Sequence, residues 1–412
     1  MKIFENILSC LRDDEEYRKL SPKGPPDKWP SLSDDEINSL KGIVYGEKLG
    51  LENYAYDSLE IVEDSVVPVK VNELTKEIIK DIDLYSIDGS NQRLGHPSFF
   101  FIISRAALVK FKYTDNMREC ELYKIVNEDL SGVLLVDGNI FRDDVIIYGK
   151  LLAKDNFLPE IDKLKGEPIL YRYNRDKDVK SPSSQALGIG VKFQQALELY
   201  MLKYIDRKHK AVIIKDGPLF STSISKSDTI YGLNQIFQWD KQVLLCVSKR
   251  IGESSLISEL LLNKHDLVKC WFDEQFVSEN TLLKLPSDQI LLSRVLKPGY
   301  RTPLIAAIGR ARVDIARRNK ELTPLACYYM SRQRPHTIIR IEVPQLMWEQ
   351  NPQQVNDAIS VVAWQLDLGI KAPFIQMVAD QKCQIKSEFE LLKDITSAKL
   401  FEKNLSLPEV YE

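Results

Sequence analysis

Leu84-Tyr85-Ser86-Ile87-Asp88-Gly89-Ser90-Asn91-Gln92-Arg93 reads as a short apolar strand that ends on a carboxylate, with Gly-Ser directly after it. A strand holds an acid in a fixed direction, and glycine lets backbone or a ligand come close. The same grammar returns downstream in Ala211-Val212-Ile213-Ile214-Lys215-Asp216-Gly217-Pro218-Leu219. Two buried strands, each with an Asp at its C-terminal end, can set two carboxylates side by side. Such a pair repels unless a divalent cation lies between them.

Working outward, Ser98–Ser104 and Ala106–Phe111 are apolar, β-prone runs expected to pair beside the Asp88 strand. Val133-Leu134-Leu135-Val136-Asp137-Gly138 repeats the strand-Asp-Gly pattern but has no helix Glu before it and no basic strand after it, so it reads as a hairpin turn. A helix is expected over 186–208, with Glu198 inside its apolar stretch. Further strands are expected at 242–248, 326–330 and 337–343, and closing helices near 354–369 and 379–396, with Ala372-Pro373-Phe374 as the break between them. Hairpins first and helix–strand units later indicate an α/β chain: a mixed sheet with helices on its faces.

The first 80 residues differ. A polar helix-like segment at 1–20 meets the proline-rich Ser21–Pro30, and Ser33-Asp34-Asp35-Glu36 is a helix start with acids at the positive end of its dipole. Residues 1–85 carry 11 Lys/Arg against 19 Asp/Glu. Residues 1–80 are therefore expected to form an acidic accessory or docking region, 81–400 the main domain with 113–180 as an inserted subdomain, and 401–412 a tail. The segment 294–340 is the opposite, with 11 Lys/Arg and only Asp314 and Glu321 as acids. It suggests a polyanion groove, with Arg301, Arg310, Arg312, Arg317, Arg332, Arg334 and Arg340 as its contacts; the alternative is a solvated helix face. Tyr328, Tyr329 and Trp348 could stack bases or simply fill the core.

Six scattered cysteines with no CxxC argue against a zinc site and a disulfide scaffold, and no apolar run is long enough to cross a bilayer, so a cytoplasmic protein is expected. Asp88, Glu198, Asp216 and Asp380 could converge as oxygen ligands for two hard cations. Two such ions ~4 Å apart activate a water and stabilise a leaving oxygen in phosphodiester hydrolysis. Each acid has a plainer reading: Asp88 as a turn residue, Glu198 as a surface residue, Asp380 as a helix N-cap. Lys249, at the end of the next strand, could meet a phosphate oxygen. Arg340 and Glu342 face the same way on one strand, and the plainer reading of that pair is a cross-strand ion pair.

With these residues in place the chain resembles the NurA nuclease family. The resemblance rests on Ile87-Asp88-Gly89-Ser90, Glu198 before Ile214–Leu219, Val247-Ser248-Lys249, Arg340-Ile341-Glu342-Val343-Pro344, and Ala372–Ile375 through Ala379-Asp380. It covers roughly residues 80–395. It implies an RNase H-like core and a DNA exo- and endonuclease using Mn²⁺ or Mg²⁺, with Asp88, Glu198, Asp216 and Asp380 as metal ligands and Lys249 in support. It also implies a homodimer docked on a hexameric HerA-type DNA-translocating ATPase, in DNA end processing or anti-phage defence. Many relatives have His where this chain has Asp380. No GxxxxGK[ST] loop occurs in the chain, so an ATP-driven step would fall to a partner. The rival reading is a catalytically inactive DNA-binding or docking subunit of a motor complex.

Overall fold

A computed structural model describes residues 56–79, 82–96, 99–113, 120–137, 145–151, 169–171, most of 190–219 and 241–271, 287–309, 323–368 and 371–385. The expectations for residues 1–55, and those placed on Arg310, Arg312 and Arg317, lie outside this set.

One mixed sheet organises the described residues. Its main path uses β1 (Tyr56–Ile61), β3 (Ile82–His96), β4 (Phe99–Tyr113), β5 (Cys120–Asp137), β6 (Val145–Leu151), β7 (Ile169–Tyr171), β8 (Lys210–Asp216), β9 (Gln242–Ser248), β11 (Ile305–Gly309), β12 (Pro324–Met330) and β13 (Ile338–Pro344). The short β2 (Val69–Lys70) and β10 (Tyr300–Arg301) attach beside β12. The order is β1-β11-β12-β13-β9-β8-β3-β4-β5-β6-β7. At its centre, β5, β4 and β3 form an antiparallel meander, and β8 and β9 follow parallel to β3. This five-strand order, with the first strand in the middle, is that of an RNase H-like core.

Helices cover both faces. Helical residues between 190 and 201 form α1; α2 (Leu256–Asn263), α3 (His265–Trp271) and α4 (Asp288–Val295) follow, then α5 (Gln345–Gln350), α6 (Pro352–Leu368) and α7 (Phe374–Cys383). β12 shows how one strand serves two layers. Leu325, Cys327 and Tyr329 enter the core with α6 and α7, while Ala326, Tyr328 and Met330 enter a second core with α2 to α4. That alternation is the period of two of a pleated strand. The central strands β8 and β9 carry the unbroken apolar runs Ala211–Ile214 and Val243–Val247 because both their faces are covered.

Several boundaries move. The runs 98–104 and 106–111 are one strand, β4. Asp88 does not end its strand, because β3 continues through Gly89 to His96, paired with β4 rung by rung. What stops near Asp88 is the parallel ladder with β8, whose last rung is Ile87 with Lys215. The last helix starts at Phe374, directly after Pro373, which suits a helix entry because its missing N–H has no partner there anyway. Asp380 therefore sits late in α7 and is not its N-cap. Asp137 pairs opposite Phe99, eight residues along β4 from Ala107, the partner of Asp88. At ~3.4 Å per residue that is roughly 27 Å from Asp88. Residues 120–137, 145–151 and 169–171 extend the main sheet as further strands.

Ile213 is fully buried between Tyr85 of β3 and Leu244 of β9. Ile213→Ala leaves a cavity in a site walled by two strands and is expected to cost ~2–5 kcal/mol, read as a lower denaturation midpoint in guanidinium.

Candidate metal centre

The end of the β3–β8 parallel ladder is where the chemistry gathers. Asp88 on β3 and Asp216, the last residue of β8, each directly follow the ladder's last rung, Ile87 with Lys215. Gly217 follows at φ +78, a left-handed turn that glycine adopts without strain, and its N–H donates to the Val247 carbonyl at 3.0 Å. The chain thus leaves the sheet immediately after presenting the carboxylate.

Asp88 is 2% exposed. Its Oδ1 accepts the Gly89 N–H at 2.7 Å, while its buried Oδ2 has no hydrogen-bond partner among the described residues. The ammonium of Lys249, just past β9, lies 3.8 Å from that Oδ2 and 3.1 Å from Asp216 Oδ1. Asp216 Oδ1 also accepts from the Gln376 side-chain amide of α7, which reaches the Val247 carbonyl at 3.2 Å as well. Asp380 comes from the same helix. Oxygens of Asp88 and Asp380 and the sulfur of Cys383 lie within 4.8 Å of one another.

Glu198 arrives from the other side. Side chains alternate along β3: Asp88 and Ser90 face α7, where the Ser90 hydroxyl donates to the Cys383 carbonyl, and Gly89 and Asn91 face α1. Gln194 donates to the Gly89 carbonyl at 2.8 Å and to Glu198 Oε1 at 2.9 Å. Glu198 Oε2 pairs with Lys215 at 2.8 Å, with both side chains only 3% exposed. Gly89 is required here, since a Cβ at that position would lie 2.7 Å from both Gln194 Cγ and Glu198 Oε1. The structure thus brings Asp88, Asp216, Asp380 and Lys249 together on one face, with Glu198 behind Gly89 and already paired.

The electrostatics follow from this packing. The Asp88 carboxyl is held well above the usual carboxylate range, first by burial, then by the negative charges of Asp216 and Glu198. Burial opposes the charged form of Lys249, but Asp216 and Asp88 outweigh it and raise its pKa. For Lys215 burial again opposes and Glu198 prevails. Burial, then Asp88 and Asp380, push the Cys383 thiol up. An unpartnered buried carboxylate oxygen among further acids, bridged to one of them by an ammonium, is a place where positive charge is wanted. The donor set fits a divalent cation with oxygen ligands: Asp88, Asp216 and Asp380 can reach it from one face, and Glu198 only by giving up Lys215.

The expected DNA contacts fare differently. Arg301 is turned inward and forks onto Glu63 at 2.6 and 2.7 Å, with Asn356 Oδ1 at 2.9 Å. Arg332 binds Asp367 at 3.0 Å and the Val71 carbonyl at 2.9 Å. Arg340 pairs with Glu342 at 2.7 Å on the same strand, and Glu342 also accepts the Leu219 N–H at 2.7 Å, which ties β13 to the turn after Asp216. Arg334 is exposed. Tyr328 and Tyr329 are core residues whose hydroxyls meet Asp288 and Asp367, and Trp348 packs against the core. A cavity of about 550 Å³ opens beside Lys249, lined also by Gln289, Ser293, His336 and Thr337.

Gln194, Lys215, Gln376 and Cys383 are the participants that sequence reading missed. Gln194 and Gln376 each lie one helical turn before an acid, at the i, i+4 spacing that places them on its face. Lys215 is a charge inside an apolar strand run, itself a signal of a buried partner.

No curated protein matches the chain. Residues 82–378 match the NurA domain. Among solved structures, the chain is similar to the NurA nuclease from Sulfolobus solfataricus, with a TM-score of 0.39 at 13% identity over 82% of this chain and 88% of that one. It is also similar to the crystal structure of NurA with manganese, with a TM-score of 0.35 at 8% identity over 95% of each chain.

Two outcomes are expected of the metal-free protein. Gly89→Ala forces Gln194 and Glu198 aside and costs ~1–3 kcal/mol as overpacking does, read as a lower Tm. Asp88→Asn raises Tm at neutral pH. A carboxyl raised in the folded chain favours folding when protonated, and that contribution is lost as pH rises through its folded value. The advantage of Asn should therefore fade as pH falls toward ~4, where the unfolded carboxyl is protonated too.

Proposed function

The chain belongs to the NurA family, and from that premise we propose that it is a metal-dependent deoxyribonuclease. The observation that carries this reading is the buried Asp88 oxygen without a hydrogen-bond partner among the described residues, beside Asp216, Asp380 and the Lys249 ammonium. Asp88, Asp216 and Asp380, joined by Glu198, are the residues that would hold two divalent ions, Mn²⁺ or Mg²⁺. Bound there, the ions supply an acidified water and neutralise charge on the phosphate.

The chain's own groups prepare that site. The Gly89 N–H and the Gln376 amide orient the two strand carboxylates, so each enters with one direction preset. Lys249 keeps a positive charge between them before a cation arrives and can turn toward a phosphate oxygen afterwards. Lys215 pairs with Glu198 in a dry environment. The cavity beside Lys249, with Arg334 exposed nearby in sequence to His336, offers a path for a nucleic-acid strand. On the family resemblance the chain works as a homodimer with a HerA-type hexameric ATPase on DNA in the cytoplasm, in end processing or defence.

The test is cleavage of a labelled linear duplex with Mn²⁺ or Mg²⁺. Asp88→Asn and Asp216→Asn should each lose several kcal/mol of transition-state stabilisation, roughly 10²–10³-fold or more in rate, while duplex binding persists. Cleavage that survives both substitutions or a chelator would overturn the proposal. Binding without any cleavage by the unaltered protein would leave a DNA-docking subunit.

A further inference from the structure

We propose that Cys383 is a sulfur ligand beside Asp88 and Asp380, making this face of the site a binding place for a thiophilic divalent cation such as Zn²⁺ or Cd²⁺. The inference rests on the reading of Asp88 and Asp380 as cation ligands and adds a donor to it.

Three observations carry it. The Cys383 sulfur and one oxygen each from Asp88 and Asp380 lie within 4.8 Å of one another. Atoms that share a tetrahedral ion at ~2.0–2.3 Å are separated by roughly 3.5 Å, so closing on an ion needs about 1 Å of side-chain motion. Secondly, Asp88 is 2% exposed and its Oδ2 lacks a hydrogen-bond partner among the described residues, so one carboxylate oxygen is buried and uncommitted. Thirdly, the sulfur is held in place. Asp380 and Cys383 are three residues apart on α7 and share a helix face. The Cys383 thiol donates to the Asp380 carbonyl at 3.2 Å, and the Ser90 hydroxyl donates to the Cys383 carbonyl.

The chemistry differs from that of an all-oxygen site. Carboxylates alone suit Mg²⁺ and Mn²⁺, whereas a thiolate with carboxylates favours softer ions. Binding breaks the S–H bond and forms a sulfur–metal bond, and the proton goes to buffer, one per ion. The Lys249 ammonium, 3.8 Å from Asp88 Oδ2, must swing away as the ion enters. A soft ion seated there would compete with Mg²⁺ or Mn²⁺ for Asp88.

The experiment titrates the full-length, metal-free protein with Cd²⁺ and follows the ultraviolet thiolate-to-cadmium charge-transfer band, alongside Mn²⁺ binding by electron paramagnetic resonance. Cys270, which is exposed, is replaced by serine in every variant to lower the background. The expected result is a band that saturates near one equivalent, disappears in Cys383→Ser and weakens in Asp380→Asn. The Cd²⁺/Mn²⁺ affinity ratio should fall at least about tenfold in Cys383→Ser. A band of equal size with and without Cys383 overturns the inference. Should Cys383→Ser fail to fold, Asp380→Asn decides, since an unchanged band there is equally fatal. Mn²⁺ binding with no Cys383-dependent band would sink this inference and leave the nuclease reading standing. A Cys383-dependent band with no Mn²⁺ binding would do the reverse.

Discussion

Like-charged carboxylates buried side by side at the end of a parallel ladder are the constraint around which this molecule is built. Asp88 is out of water, with Asp216 just past the end of the same ladder and Asp380 leaning in from α7. Left alone, such a group protonates or unfolds its surroundings. The surrounding elements each answer part of that cost. Lys249 brings a positive charge from the end of β9, the Gly89 N–H caps one Asp88 oxygen, and Gln376 caps one of Asp216. One Asp88 oxygen remains without a hydrogen bond among the described residues.

The sheet explains why these groups meet. Two parallel ladders run along β3, β8 and β9, and where they stop Asp88, Asp216 and Lys249 come to one place. The β3–β4 ribbon runs on past that point, which leaves Gly89 and Ser90 lying under two helices rather than in a turn. The period of two then sorts the partners. Asp88 and Ser90 belong to α7, and Gly89 and Asn91 to α1. Glu198 and Lys215 form a buried pair on the second face, so each charge has its partner beside the first cluster.

The basic segment teaches a different lesson. Arg301, Arg332 and Arg340 each find a carboxylate inside the fold, Glu63, Asp367 and Glu342 respectively. A guanidinium is a rigid fork of donors, as suited to clamping a buried carboxylate as to gripping phosphate. Local charge counts cannot separate those uses, because the acids that answer these arginines lie far away in sequence or two positions along a strand. Glu63 is the plainest case: it belongs to the acidic early part of the chain and yet anchors β10.

What the chain declared on its own was the grammar: strand, Asp and Gly twice over, a Glu inside an apolar helix before the second copy, and the order of strands and helices around them. Those signals are local. Hydrophobic period and chain punctuation need no knowledge of distant contacts, so β8, β9, β12, β13 and α6 were legible nearly to the residue. Only the folded molecule could decide register and facing. Asp137 has the same local grammar as Asp88 and ends up far along the ribbon, because antiparallel pairing with β4 carries it there. Glu198 lies across the strand from Asp88, and Cys383 joins the acids, because the position of one helix over another strand is set by packing across the whole core and leaves no mark in any short stretch of sequence.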